Sequence, residues 1–160
     1  VGPLELGFNS TYLINYKTFS LVKGSFGDNL AGRYGYPRLQ ANLSAALKTG
    51  NVVNALKANY TSSMVLQGDF YDTLYTVAGC ADRGWVETEC KVKAYTTLDY
   101  YFSYTGIKNL ALGVNIRNLL NKRPPVDLRA MQEGGGGIIP QDLADVKRRT
   151  IRLTLDYKFL

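Results

Sequence analysis

The chain has no histidine, which removes both the usual neutral-pH general base and the commonest metal ligand. It has only two cysteines, Cys80 and Cys90, and a zinc site needs more Cys or His ligands than that. Both lie in one polar stretch, CADRGWVETEC, where a disulfide closing the loop in an oxidising compartment is the expected reading. Apolar runs are short. None approaches the ~20 residues of a membrane-spanning helix. The opening VGPLELGF shows neither the basic start nor the apolar core of an export leader, so an oxidised loop leads to the expectation of a further N-terminal part. The formal charge is +6, yet the Lys and Arg are scattered singly, apart from Asn121–Arg123 and Lys147–Thr150. A nucleic-acid partner, which needs a basic face or groove, is not expected.

What is present is alternation. At 160 residues with 46% apolar composition the chain can fold as one domain, and it carries twelve Tyr and sixteen Gly. The last residues, TIRLTLDYKFL, set Ile151, Leu153, Leu155, Tyr157 and Phe159 against Arg152, Thr154, Asp156 and Lys158. The same period of two predicts six strands at about 4–17, 38–48, 52–66, 93–104, 109–118 and 150–159. All five prolines fall at strand starts or between strands, where a missing N–H breaks no ladder.

Sorting each strand by face separates dry from wet. The dry phase runs through Leu4 to Tyr16, Leu39 to Leu47, Val52 to Leu66, Ala94 to Tyr104, Leu110 to Ile116 and the terminal strand, without one charged residue. With 20% of all residues charged, such a phase is not expected by chance. Glu5, Lys48, Lys57, Asp99, Arg117, Arg152, Asp156 and Lys158 occupy the other phase, with Asn9, Asn42, Asn59 and Asn115.

Two solvents suit such a sheet. A soluble lipocalin-like barrel or a sandwich turns the dry face inward, whereas an outer-membrane barrel turns it to lipid and lines its lumen with the wet face. Three features favour lipid. The expected strands are longer than the usual five or six residues and match the 9–11 that cross a bilayer with tilt. Tight turns at KTGNV and TGIKN alternate with long connections at about 18–37, 67–92 and 119–149. Aromatics of the dry phase, namely Tyr12, Tyr16, Tyr100, Phe102, Tyr104, Tyr157 and Phe159, gather towards strand ends, as interfacial girdles do.

The stretch LALGVNIRNLLNKRPP, followed by a long loop and RRTIRLTLDYKFL, resembles the C-terminal end of TonB-dependent outer-membrane receptors. Carrying the resemblance are Asn118-Leu119-Leu120-Asn121-Lys122-Arg123-Pro124-Pro125 and the closing Tyr157-Lys158-Phe159; it covers about residues 92–160. Arg148-Arg149 stands where the family has Gly-Arg, and Leu160 follows the terminal phenylalanine. The implied fold is all-β, an antiparallel transmembrane β-barrel segment of about six meandering strands with long external loops and short periplasmic turns.

Family members are barrels of about 22 strands around a plug, so six strands are expected to be incomplete as a closed barrel. The resemblance therefore implies that residues 1–160 are the C-terminal part of a barrel domain whose plug and first strands lie elsewhere. It implies the outer membrane of a Gram-negative bacterium, and energised uptake of a scarce solute such as a ferric siderophore, cobalamin or an oligosaccharide. Outer-membrane lipid, the plug and remaining strands, the TonB complex and the barrel-assembly machinery are the implied partners. Tyr157 and Phe159 match the terminal assembly signal.

Lys57, Asp99, Arg117 and Arg152 are candidates to face the lumen or plug, and Tyr71, Tyr75, Arg83 and Trp85 are candidates for ligand contact in external loops. No catalytic residue, metal or cofactor is expected. The run GGGGIIPQD lacks the Lys-Ser/Thr of a phosphate loop. A small structural or adhesive outer-membrane barrel without energised transport is the alternative.

Overall fold

The computed structural model describes residues 2–33, 35–65, 84, 91–125 and 147–159. These are all-β, with no helix among the described residues. Six strands form one antiparallel sheet: β1 (Leu4–Tyr12), β4 (Leu39–Thr49), β5 (Val52–Thr61), β8 (Tyr95–Ile107), β9 (Leu110–Arg117) and β10 (Thr150–Tyr157). They lie side by side in chain order, each paired with the next. The expected six strands are there with their ends displaced: β1 stops at Tyr12 rather than residue 17 and β5 at Thr61 rather than 66, whereas β8 runs on to Ile107 rather than 104.

The two short connections fall at one end of the sheet. Thr49 pairs with Val52 across Gly50-Asn51, and Gly50 adopts a φ of 56°, open to glycine and costly for most other residues. Ile107 pairs with Leu110 across Lys108-Asn109, where Asn109 takes a φ of 62°. A register shift between Tyr104 and Ile107 precedes that turn, so Gly106 belongs to the bulge and not to the turn itself. A side chain on Gly106 would strike the Tyr104 ring.

The long connections all leave from the opposite end, where the described residues include short strand pairs. A two-residue hairpin, β2 (Phe19–Ser20) with β3 (Ser25–Phe26), stands there, and its two phenylalanines meet edge to face at 5.2 Å. A second pair, β6 (Met64–Val65) with β7 (Lys91–Val92), prolongs the hairpin of β5 and β8. Residues 29–33 and 35–38 fold against it: Val65 N–H donates to the Gly32 carbonyl at 2.9 Å, beside a parallel bridge from Arg33 to Val65. Among the described residues, the buried apolar side chains other than Pro124 are Ala31, Met64 and Val92, all in this cap. The sheet itself has no such core.

The sheet is open. Neither β1 nor β10 has a second neighbour among the described residues, and nearly every residue of both is exposed. Its strands are also staggered. The row Leu6, Ala45, Leu56, Tyr100, Ile116, Ile151 runs straight across all six strands. Leu6 is well inside β1, whereas Ile116 is next to the end of β9. At the other end, Leu4 begins β1 level with Leu153, while β10 runs on to Tyr157. That is a stagger of about one residue per strand. With ~3.4 Å of rise and ~4.8 Å between strands, it inclines the strands by about 35° to the normal of the planes through their ends.

Candidate functional site

The wet face brings together three of the four lumen-facing candidates. Register places Lys57 directly opposite Asp99, with Ser44 on the other side of Lys57. Arg117 ends β9 opposite Thr150, and Arg152 faces Asn115. Lys57, Asp99 and Arg117 border a shallow depression of about 380 Å³ with the small side chains Ser44, Ala46 and Ala55 and with Tyr101 and Asn115, and Ala45, Leu56 and Tyr100 also contribute to its lining. Arg152 is not among its lining residues. The depression exists because Ser and Ala occupy positions where neighbouring rows carry longer side chains.

Asp99 does more than line a surface. Its Oδ1 accepts the backbone N–H of Asn118 at 2.8 Å, and its Oδ2 accepts Asn59 Nδ2 at 2.9 Å. Asn59 Nδ2 also reaches Thr97 Oγ1 at 3.3 Å. A carboxylate holding two N–H donors is a charge-assisted clamp, and here it joins β5 and β8 to the residue that ends β9.

That residue, Asn118, is the buried polar group among the described residues, and the alternation of the strands does not mark it. Its φ of 51° breaks the strand, a conformation that asparagine tolerates better than most residues. Its side chain then closes the turn: Oδ1 accepts the N–H of Lys122 at 2.9 Å, and Nδ2 donates to the Lys122 carbonyl at 2.8 Å. Asn121, with a φ of 52°, donates its N–H to the Asn118 carbonyl at 2.8 Å. The Tyr95 hydroxyl donates to the Lys122 carbonyl at 3.3 Å, and the Lys122 ammonium sits 5.9 Å from the Tyr95 ring centre. The two asparagines of NLLNK were the available signal, since both fall where a strand must stop.

The dry face carries one polar surprise. Asn54 lies among Leu47 and Phe102, and the Tyr100 hydroxyl donates to its Oδ1 at 2.6 Å. A pair of polar side chains thus satisfies itself on an apolar surface. Tyr100 and Phe102 are placed inside β8 rather than at its end, a correction to the expected girdle; Tyr104 alone of that trio stands near a terminus. Tyr157 and Phe159 pack edge to face at 4.8 Å on the last strand and just beyond it. Cys80, Cys90, Tyr71, Tyr75, Arg83 and Trp85 lie outside the described residues.

Among the described residues no three or more His, Cys, Asp or Glu side chains gather as a metal-binding set. What the wet face offers is a polar surface with two cations beside a tethered carboxylate. Compared with known protein families, curated proteins and solved structures, the chain matches none.

Proposed function

We propose that this chain is a stretch of outer-membrane barrel wall, the C-terminal part of a TonB-dependent receptor that imports a scarce solute. One observation carries the reading. The charge-free face of the sheet has no covering core, and Leu4, Leu6, Phe8, Leu43, Leu56, Ile151, Leu153 and Leu155 all stand exposed on it. Hydrocarbon is the surrounding that suits such a face, since each apolar side chain left in water forgoes about 1.5–3 kcal/mol of burial. The strand tilt of about 35° falls in the range of barrel walls, and the short turns share one end, as periplasmic turns do. Open edges at β1 and β10 support a wall completed by further strands, because unpaired backbone is not tolerated in lipid.

In this reading Lys57, Asp99 and Arg117 face the lumen, where a plug or a passing solute meets them. The TonB machinery acts through the plug, and NLLNKRPP with the terminal Tyr157 and Phe159 supplies the link to that receptor class. Vesicle flotation combined with a gel tests the proposal. The full chain is refolded with neutral phosphatidylcholine vesicles, floated through sucrose, and run with and without boiling. Flotation without a heat-modified band is the expected result. A soluble monomer that stays at the bottom would overturn the membrane reading. A heat-shifted band would instead favour a small self-contained barrel without energised transport.

A further inference from the structure

The sequence has two basic groups, Asn121–Arg123 and Lys147–Thr150, that the transport reading leaves unused. The fold brings them together. Asn118 turns the chain out of β9, and Asn121 Oδ1 then accepts the backbone N–H of Arg149 at 3.3 Å. Lys122, Arg123, Arg148 and Arg149 thereby share one exposed site, with Lys147 beside them. Residues 118–125 and 148–150 carry no Asp or Glu of their own. Buried Pro124 holds one flank and the Asn118 turn the other, while Arg148 keeps a φ of 62°. Because backbone N–H groups knit the site, its guanidinium groups are left to an outside partner.

Its position identifies the partner. Arg149 directly precedes β10, in the phase that continues as Ile151, Leu153 and Leu155 on the dry face. Leu120, exposed, lies between the turn asparagines. A cluster of guanidinium and ammonium groups thus stands where an apolar surface ends, the level at which lipid headgroups meet a membrane protein. Guanidinium pairs with phosphate through two parallel N–H bonds, and several such groups favour an anion with more than one phosphate. Resting on the barrel-wall reading above, we propose that this cluster binds the phosphates of an anionic, multiply phosphorylated membrane lipid at the loop-side interface.

Flotation tests it, using phosphatidylcholine vesicles with and without a bis-phosphorylated glycolipid. Each basic residue near an anionic surface contributes about a five-fold factor. Converting Arg123, Arg148 and Arg149 together to Gln is therefore expected to lower the preference for the phosphorylated vesicles on the order of a hundred-fold. Binding to neutral vesicles stays unchanged. A matched variant at the opposite end of the sheet, with Lys48, Lys108 and Lys158 changed to Gln, keeps the preference. Asn121→Ala retains every charge but unties the two segments, and a smaller loss is expected.

Equal loss from both triple variants would mean net charge alone, and the cluster would be overturned. Competition by inorganic pyrophosphate at low concentration would assign the site to a soluble phosphate instead of a lipid. Failure to float with neutral vesicles would sink the wall reading. Flotation without any preference for phosphorylated lipid would sink only the present proposal.

Discussion

Two regions of this molecule handle apolar side chains in opposite ways. In the cap at the loop end, Met64 and Val92 are 2% and 1% exposed, sealed by residues 29–33 and 35–38 against the β6–β7 pair. Across the sheet, Leu6 and Leu153 are 72% and 75% exposed, although their rows are just as apolar. The cap is a miniature water-soluble core, closed by its own chain. Paired, regular and uncovered, the sheet leaves its burial to its surroundings. The contrast is between apolar side chains that the chain covers itself and apolar side chains that it leaves exposed.

The strongest way to break that contrast is a charge on the dry face. Leu43→Arg sits on β4, away from both sheet edges. If the face meets hydrocarbon, the substitution weakens vesicle association by about 2–4 kcal/mol. Asn42→Arg, one residue away on the wet face, changes it by no more than about 0.5 kcal/mol. Flotation of the two variants side by side gives the measurement; equal behaviour would mean that the faces are not in different solvents.

A cavity in the cap is the converse test. Met64→Ala removes most of a buried side chain and is expected to destabilise the cap by about 2 kcal/mol, the low end for such truncations because the cluster is small. Amide exchange should then quicken at Gly32 and Val65, whose hydrogen bond closes the cap, while the sheet amides and vesicle association keep their values. Loss of the sheet along with the cap would show that the two regions are one cooperative unit.

The turn that ends β9 is tied to β8 through Asp99, and its asparagine separates two contributions. Asn118→Gly keeps the left-handed backbone but loses both side-chain bonds to Lys122. Asn118→Ala loses the bonds and adds strain at φ 51°. Expected losses are about 1 kcal/mol for Gly and about 2 kcal/mol for Ala, read by denaturant unfolding in micelles. Identical losses would assign the whole effect to hydrogen bonding.

Much of the sheet was legible in the sequence because a half-dry strand writes its period into every second residue. Thr150 to Tyr157 could be placed to the residue at its start and within two at its end. What could not be read were contacts made across strands. Nothing in LDYYFSY announces that Asp99 is held by Asn118 and Asn59, since the partners come from another strand and a turn. Asn54 on the dry face likewise made sense only once Tyr100 lay opposite Leu56, two residues along the same face. Ordered pieces of the long connections, β2 with β3 and β6 with β7, were too short to leave a periodic trace.

The smallest effect concerns the tyrosines at the edge of the cap. Tyr16 and Tyr36 stack at 4.6 Å, and the Tyr36 phenol is pushed above its ordinary range, first by its hydrogen bond with Tyr16, then by repulsion from that phenol, and least by burial. A raised phenol means that the fold prefers the neutral form. The pairing therefore contributes fully below the ordinary tyrosine range near pH 10 and is lost as pH rises through the folded value. Ultraviolet titration should show one tyrosine ionising late, and Tyr16→Phe should return it towards the rest. Dry-face variants such as Leu43→Arg should leave that late titration in place, because the cap closes itself. A titration that moved with the dry face would tie the cap to the sheet and erase the difference between them.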